Sequence, residues 1–320
     1  MRYLSAEQIE RAVCCEDLMN AVERAYAVEQ AGSFHMPNRF HLDHQGNTVL
    51  YMPCFLERVF STKILTLVPN NSQRGLPVIS GLVLLNDATT GMPLAIMDGG
   101  AVTAYRTGAV SGLAIRNIAS IDTKVAGLIG AGGQGFTQII FANAVRKLDR
   151  VLIYDLDPRK SEKLVLMVRD RLPHLSVQRA PSVEALVSHA DLVITATPAT
   201  TPVLPDNKEL LREKSYIAIG SYKPEMRELP QALYHLVDSI LIDTPHGLEE
   251  SGDLIIPLER GWIGEKQILP FGQFLTDHPK PRNKGETTLF KSVGMALFDL
   301  TVAESIYRKA IDQGWGIELE

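Results

Sequence analysis

The glycine-rich run GAGGQG at residues 130–135 is the feature that most constrains how this chain can fold. It directly follows the apolar stretch 125–129 and opens a helical pattern, which is the setting of a dinucleotide-binding G-x-G-x-x-G loop. In such a loop the first glycine permits a tight turn, the second lets the backbone approach a pyrophosphate, and the third lets the helix lie close to the strand. The N–H groups and the positive dipole end of the helix would then face the phosphates.

An acidic residue follows the next predicted strand, as a dinucleotide site requires. Asp155 lies about 20 residues past the last glycine, where a carboxylate accepts hydrogen bonds from the adenosine ribose. Asp157 adds negative charge that would repel the 2′-phosphate of NADP(H), whereas Arg159 could pair with that phosphate. The two acidic residues favour NAD(H) as the cofactor over NADP(H).

Length and composition limit the other classes of protein. With 320 residues, of which 45% are hydrophobic and 22% charged, the chain is long enough for two globular domains. The net charge of −5 and the lack of a basic run argue against nucleic-acid binding. The N-terminus lacks the apolar core of a signal peptide, and no stretch approaches a membrane span. Three cysteines without a C-x-x-C pair fit a reducing compartment, so we expect a cytoplasmic protein with no membrane partner.

Hydrophobic spacing divides the chain into two kinds of structure. Up to about residue 98, β-type runs at 48–52, 63–68 and 78–85 predict a mostly antiparallel sheet. Helices are predicted at 16–29, 103–118 and 289–310, and Ser5 with Gln8 predicts a capping box. From Lys124 onward strands alternate with helices. The predicted fold class is α/β, with a Rossmann-type doubly wound parallel sheet plus a second α+β domain.

Further short motifs follow one another along the chain. They are MPNR at 36–39, Lys63 before PNN at 69–71, GLP at 75–77, Asp98, TAYRTGA at 103–109, the glycine run, ADLVITAT at 190–197, EESGD at 249–253, SVG at 292–294 and Asp299. Their number, order and spacing resemble the ornithine cyclodeaminase/mu-crystallin family over nearly the whole length.

The resemblance implies a Rossmann domain inserted in a second domain. Residues 122–294 would bind NAD(H). Residues 1–121 with 295–320 would bind the substrate and form a homodimer.

The resemblance also implies roles for individual residues. Arg39 and Lys63 would bind the substrate carboxylate, and Arg106 would lie at the junction of cofactor and substrate. A planar guanidinium and an ammonium both suit a carboxylate. Val293 would line the substrate. The expected cofactor contacts are Arg106, Thr107, Gly130, Gly132, Gly133, Gln134, Gly135, Asp155, Thr197, Gly220 and Ser292.

One position departs from the family pattern. Ornithine cyclodeaminases carry a catalytic aspartate after an apolar strand, in a Gly-Gly-Asp run followed by Pro and a later Glu-Leu. Here Pro224 and the Glu-Leu pair at 228–229 match, but the aspartate position is Tyr222. A tyrosine with a pKa of about 10 is a poor base at neutral pH.

The catalytic residues predicted are therefore Lys63, Arg106 and Tyr222. The acid–base group stays open among Tyr222, Lys63 and a bound water, with Asp253 a weaker candidate. The eight histidines show no H-x-x-x-H spacing on a helix, so no metal site is predicted.

Three functions are consistent with these residues. The first is an NAD(H)-dependent oxidoreductase acting on the C–N bond at the α-carbon of an amino or imino acid, as a ketimine reductase or an alanine dehydrogenase does. The second is an ornithine cyclodeaminase, which converts ornithine to proline and ammonia and recycles NAD. The third is a non-catalytic, mu-crystallin-like binding protein. Tyr222 favours the first over the second.

Overall fold

The computed structural model describes residues 1–277 and 285–319. The strands are β1 (Arg2–Leu4), β2 (Phe40–His44), β3 (Asn47–Phe55), β4 (Val59–Leu67), β5 (Ile79–Asp87), β6 (Pro93–Asp98), β7 (Val125–Ile129), β8 (Arg150–Tyr154), β9 (Ser176–Arg179), β10 (Leu192–Thr195), β11 (Ser215–Ala218), β12 (Ile240–Ile242), β13 (Ile268–Pro270), β14 (Thr288–Lys291) and β15 (Ile317–Glu318).

The helices are α1 (Ala6–Ala12), α2 (Cys15–Gln30), α3 (Gly99–Ile118), α4 (Gly135–Val145), α5 (Pro158–Arg171), α6 (Val183–His189), α7 (Lys208–Leu211), α8 (Gln231–Tyr234), α9 (Gly247–Glu250), α10 (Gly252–Glu259), α11 (Phe271–Asp277) and α12 (Ala296–Asp312). Short 3₁₀ turns lie at Pro69–Arg74 and Glu265–Gln267. The chain divides into two compact units, Met1–Ala109 with Met295–Glu320, and Val110–Gly294.

The first unit is built on one sheet with the strand order β15-β1-β6-β5-β4-β3-β2. Neighbouring strands in this sheet are antiparallel, except that β1 and β6 are parallel to each other. This agrees with the predicted, mostly antiparallel sheet. The apolar helix α12 packs on β3, β4 and β5, and α2 packs on α12. Tyr26 and Phe298 join these two helices with ring centroids 5.1 Å apart. The predicted capping box of Ser5 and Gln8 begins α1.

The second unit is built on a parallel sheet with the strand order β13-β12-β14-β11-β10-β7-β8-β9. The chain starts in the middle at β7, runs outward through β8 and β9, and then returns to β10 on the other side of β7. A ligand crevice is expected outside the carboxyl ends of the strands where the direction of winding reverses, which is between β7 and β10. The predicted fold class, a Rossmann-type doubly wound sheet together with a second α+β part, is confirmed.

The C-terminal region differs from the prediction of one helix over 289–310. Its first residues form β14, which pairs with β11 and β12, and the helix begins only at Ala296. All four residues of β14 are buried, as in a strand covered on both faces. A short apolar run of this kind has no periodicity that separates a buried strand from a buried helix, and this is why the prediction was wrong.

Among residues 1–277 and 285–319, the helices are all too short or too polar to cross a bilayer.

Candidate functional site

A buried ion cluster joins three elements of the first unit. Lys63 on β4 donates from Nζ to Oδ2 of Asp299 at 2.6 Å, and Nε of Arg106 on α3 lies 3.2 Å from Oδ1 of the same carboxylate. Lys63 and Asp299 are almost fully buried, and Arg106 is 7% exposed. Alternation along β4 turns Lys63 to the side that α12 covers, which is why its ammonium reaches Asp299.

Burial and the neighbouring charges set the pKa of Lys63. Burial lowers the pKa of Lys63 from its ordinary value, and the nearby Arg106 and Arg39 lower it further. Asp299 acts in the opposite direction, and the resulting pKa is about 8. The structure therefore brings together the three cations that were predicted to bind a carboxylate, and Lys63 is poised to change charge slightly above neutral pH.

Asp299 is the residue that the sequence interpretation left without a role. It matched a family position, but no function was assigned to it. The available signal was a single acidic residue in the apolar run ALFDLTVA at 296–303, because such a charge is rarely buried unless it is paired. Its partners Lys63 and Arg106 are remote in sequence, so only the fold identifies them.

The glycine loop of the second unit has the geometry predicted for it. Gly130 follows β7 with φ +99°, and a Cβ there would lie 2.6 Å from the carbonyl oxygen of Ala196. At Gly135 a Cβ would lie 2.8 Å from Leu164 and 3.1 Å from Leu128. The first glycine is thus required by the turn and the last by helix packing.

The middle of the loop is open, unlike its ends. A Cβ at Gly132 or Gly133 would meet nothing within 4 Å. These two glycines have neither a positive φ nor a crowded neighbour to explain them. They leave space at the N-terminus of α4, where a phosphate would be attracted by the free N–H groups. This space is what a bound dinucleotide needs, so the residues fit the predicted cofactor.

Asp155 follows β8 and holds the glycine loop from the adjacent strand. Its Oδ2 accepts a hydrogen bond from Ala131 N at 2.7 Å, and its Oδ1 accepts one from Asp157 N at 2.9 Å. Asp157 in turn caps α5 and accepts two hydrogen bonds from the Arg159 guanidinium, at 3.0 and 3.1 Å. The positive charge that could have favoured a 2′-phosphate is therefore paired with a carboxylate.

The other predicted cofactor residues of this unit lie at the carboxyl ends of neighbouring strands. Thr197 follows β10, Gly220 follows β11, and Ser292 follows β14, next to Val293, which was predicted to line the substrate. Thr107, which was also predicted to contact the cofactor, lies on α3 in the first unit, where its hydroxyl donates to Thr103 O at 2.7 Å.

Asp243 organises the turn that contains Ser292 and Val293, and the sequence interpretation missed it. Its buried carboxylate accepts from Ser292 Oγ at 2.6 Å, from Val293 N at 3.1 Å and from Gly294 N at 2.7 Å. Gly294 has φ +74°, which favours glycine. The signal was an acidic residue directly after the apolar strand β12, at the same sheet edge as Ser292.

Tyr222 and Asp253, two candidates for acid–base chemistry, have different surroundings. Tyr222 is half-buried in the segment that follows β11, next to Ser221, whose hydroxyl donates to Met226 O at 2.6 Å. Asp253 is fully buried on α10, and its Oδ1 accepts from Glu228 N at 2.8 Å and Leu229 N at 3.0 Å. Asp253 thus has a structural task that occupies its Oδ1, while its Oδ2 lies 3.4 Å from Lys291 Nζ.

No group of three or more His, Cys, Asp or Glu side chains with the geometry of a metal site occurs in the part of the chain that the structure describes.

Comparison with known proteins extends these observations. The sequence model of the ornithine cyclodeaminase/mu-crystallin family matches residues 2–314. A delta(1)-pyrroline-2-carboxylate reductase of Bacillus cereus is 34% identical over 285 residues, covering 87% of this chain and 86% of the relative.

Two solved structures resemble the fold over its whole length. Thermococcus litoralis delta(1)-pyrroline-2-carboxylate reductase, in complex with NADH and L-proline, has a TM-score of 0.93 at 33% identity and covers 100% of both chains. An archaeal alanine dehydrogenase dimer with bound NAD has a TM-score of 0.88 at 29% identity, covering 100% of this chain and 99% of that one.

The two kinds of glycine in the loop should respond differently to substitution. We expect Gly132→Val to leave the melting temperature unchanged, because its side chain meets open space, and to abolish NADH binding in a fluorescence titration. Gly130→Ala should lower the melting temperature, because the added Cβ meets the Ala196 carbonyl and φ is positive. Tight NADH binding by Gly132→Val would contradict the assignment of the loop.

Proposed function

Because the chain belongs to the ornithine cyclodeaminase/mu-crystallin family, we propose that it is an NAD(H)-dependent oxidoreductase that reduces the C=N bond of a cyclic α-imino acid. The preferred substrate class is that of delta(1)-pyrroline-2-carboxylate. A relative with 34% identity and a solved structure with a TM-score of 0.93 are both named as reductases of this compound. The product is the corresponding cyclic α-amino acid.

The observation that carries this proposal is the charge excess of the buried cluster. Lys63 and Arg106 contribute two positive charges, and Asp299 between them contributes one negative charge. A buried charge is costly unless it is paired, so the excess cation attracts an anion of the substrate. A carboxylate is the natural partner, because a guanidinium and an ammonium both donate hydrogen bonds to it.

Each unit then has its own task. The first domain, residues 1–121 with 295–320, binds the substrate carboxylate through Arg39, Lys63 and Arg106, and Val293 of the second domain lines the substrate. Holding the α-carbon in one orientation supplies much of the rate acceleration. The imine nitrogen also needs a proton, and Lys63, with a pKa of about 8, is better suited to donate it near neutral pH than Tyr222.

The second domain, residues 122–294, binds NAD(H). Bound NADH supplies the hydride that the imine carbon accepts. The open positions at Gly132 and Gly133 would make room for the pyrophosphate, and Asp155 would accept hydrogen bonds from the adenosine ribose. Arg159 pairs with Asp157, and the two carboxylates of Asp155 and Asp157 at this edge support NAD(H) over NADP(H), because they repel a 2′-phosphate.

An alanine dehydrogenase reaction uses the same groups on an open-chain substrate and is the second candidate. It is favoured by the likeness to the archaeal enzyme over the whole chain. Cyclodeamination of ornithine is less well supported, because Tyr222 occupies the position of the family's catalytic aspartate. A purely binding function is disfavoured by the complete glycine loop and cation cluster.

The test is to follow NADH absorbance with three sets of substrates. We expect stoichiometric NADH consumption with pyrroline-2-carboxylate or piperideine-2-carboxylate. NADPH should be oxidised more slowly than NADH with the same substrates. Pyruvate or glyoxylate with ammonia tests the dehydrogenase reaction. Formation of proline and ammonia from ornithine without net change in NADH would overturn the proposal in favour of a cyclodeaminase, and NADH binding without any turnover would favour a binding protein.

The charge of Lys63 should make carboxylate binding depend on pH. Below a pH of about 8 the ammonium is present and attracts the carboxylate, and above it the neutral amine does not. We expect the affinity for pyrrole-2-carboxylate, measured by calorimetry with NADH present, to fall as the pH rises through about 8. This ligand has no amine that titrates in the same range.

Lys63→Met should bind this ligand at least tenfold more weakly and lose most of the pH dependence. Lys160→Met, on an exposed position of α5, is the matched control and should keep the wild-type profile. An unchanged profile in Lys63→Met would show that another group governs carboxylate binding.

We propose a homodimer formed by the first unit. The register of β2, β3, β4 and β5 aligns Phe40, Tyr51, Ile64 and Leu82 in one row across the sheet. Their exposed fractions are 60%, 37%, 36% and 48%, so they form an apolar strip on the face opposite α12. Contiguous exposed apolar patches commonly mark interaction sites, and the similar archaeal dehydrogenase is a dimer.

A charge in this strip should separate the protomers. We expect Leu82→Glu to elute as a monomer in size-exclusion chromatography with light scattering, while the wild type elutes as a dimer. Met92→Glu changes an exposed apolar residue outside the row and serves as the control. A wild-type monomer, or a Leu82→Glu dimer of unchanged affinity, would argue against this interface.

We also propose that the protein works in the cytoplasm. Cys14 and Cys54 are free thiols, which suits a reducing compartment.

A further inference from the structure

A buried carboxylate connects the strand-end segments on one side of the dinucleotide domain. Resting on the proposed function, we propose that Glu228 is a positioning residue that holds these segments in place for the nicotinamide half of the dinucleotide. Glu228 follows Tyr222 in the segment after β11 and has no exposed surface. It matched the family pattern, yet none of the functions proposed above uses it.

Glu228 accepts hydrogen bonds from two different segments. Its Oε1 accepts from Thr197 N at 2.7 Å and from Thr197 Oγ at 2.8 Å, after β10. Its Oε2 accepts from Thr195 Oγ at 3.0 Å and from Gly220 N at 2.8 Å, which follows β11. One carboxylate thus fixes the backbone at two predicted cofactor positions, Thr197 and Gly220.

The two segments pass each other closely at this point. A Cβ on Gly220 would lie 2.2 Å from Thr197 O, 2.4 Å from Thr197 N and 2.6 Å from Glu228 Oε1. Only a glycine at 220 lets the backbone come this near. The close approach brings both N–H groups to the same carboxylate, so a small shift of Glu228 would move both segments.

A third segment is connected through two further buried charges. Asp253 accepts from the backbone N–H of Glu228, and its Oδ2 lies 3.4 Å from Lys291 Nζ. Lys291 is the last residue of β14 and directly precedes Ser292. Burial raises the pKa of Glu228 and the negative Asp253 raises it further, whereas Lys291 lowers it. The ammonium therefore helps to keep the carboxylate ionised.

The division of the sheet assigns these segments to one half of the cofactor. A doubly wound dinucleotide domain consists of two mononucleotide-binding halves. The half made of β7, β8 and β9 carries the glycine loop and Asp155, which suit the adenosine and pyrophosphate. The segments held by Glu228 follow β10 and β11 in the other half, where the nicotinamide mononucleotide belongs.

The chemistry of the site requires a carboxylate. All four hydrogen bonds are donated to Glu228, two to each oxygen, and an amide has only one oxygen. In Glu228→Gln the NH₂ group would face one backbone N–H that it cannot accept from and one Thr hydroxyl that would have to turn to accept from it, while shape and size stay nearly the same. The variant removes the function of the carboxylate with little change in packing volume.

The experiment compares NADH with ADP-ribose, which lacks the nicotinamide. We expect Glu228→Gln to raise the dissociation constant of NADH at least tenfold, measured by calorimetry, and to leave that of ADP-ribose within about twofold. Glu225→Gln, an exposed residue of the same segment, is the matched control and should bind both like the wild type. Thr195→Val, which removes one of the four hydrogen bonds, should show a smaller loss in the same direction if Glu228→Gln fails to fold.

The outcomes separate the two proposals. Equal weakening of NADH and ADP-ribose would mean that Glu228 only stabilises the domain, and unchanged NADH binding would mean that it positions nothing, so either result overturns the inference. A wild-type protein that binds neither ligand would overturn the proposed function itself, and the inference with it.

Discussion

Burying a carboxylate is costly unless cations and N–H groups surround it, and each unit of this protein contains such a buried carboxylate at a central position. In the first unit Asp299 is paired with Lys63 and Arg106, which come from β4 and α3. In the second unit Glu228 accepts four hydrogen bonds from the segments after β10 and β11. Because removing either carboxylate would leave its partners unsatisfied, these contacts fix the relative positions of strands and helices that are far apart in sequence.

The parallel sheet explains why residues from so many places meet in the second unit. All its strands run in the same direction, so each one delivers its following residue to the same edge. That rule makes the glycine loop, Asp155 and the segments after β10, β11 and β14 neighbours. The sequence was sufficient to predict this edge, since the order of strand, glycines, helix and acidic residue is specific. It was also sufficient for the antiparallel sheet of the first unit and for the capping box of α1.

The features that were not predicted share one property. The structural role of each residue depends on contacts with residues that are distant in sequence. Lys63 and Asp299 are separated by 236 positions, and Asp243 and Ser292 by 49. No local period links such residues, and a lone acidic residue in an apolar run only signals that some partner exists. The strand β14 was missed for a related reason. Its four buried residues mix the apolar pair at 289–290 with Thr288, which hydrogen-bonds Ser215, and Lys291, which pairs with Asp253. Only the pairing with β11 and β12 identifies them as a strand.

The same contacts help to explain how one scaffold can support different reactions. The backbone N–H of Gly220 donates to Glu228, and the hydroxyl of Ser221 forms hydrogen bonds with Met226 O and Ser251 Oγ. These contacts fix the path of the backbone up to position 222, whatever side chain that position carries. A different side chain at position 222 would therefore not require the segment to move. The cation cluster of the first unit is built from other elements and does not depend on this exchange. The side chain at position 222 can thus be exchanged while the residues proposed to bind the carboxylate and the dinucleotide stay in place.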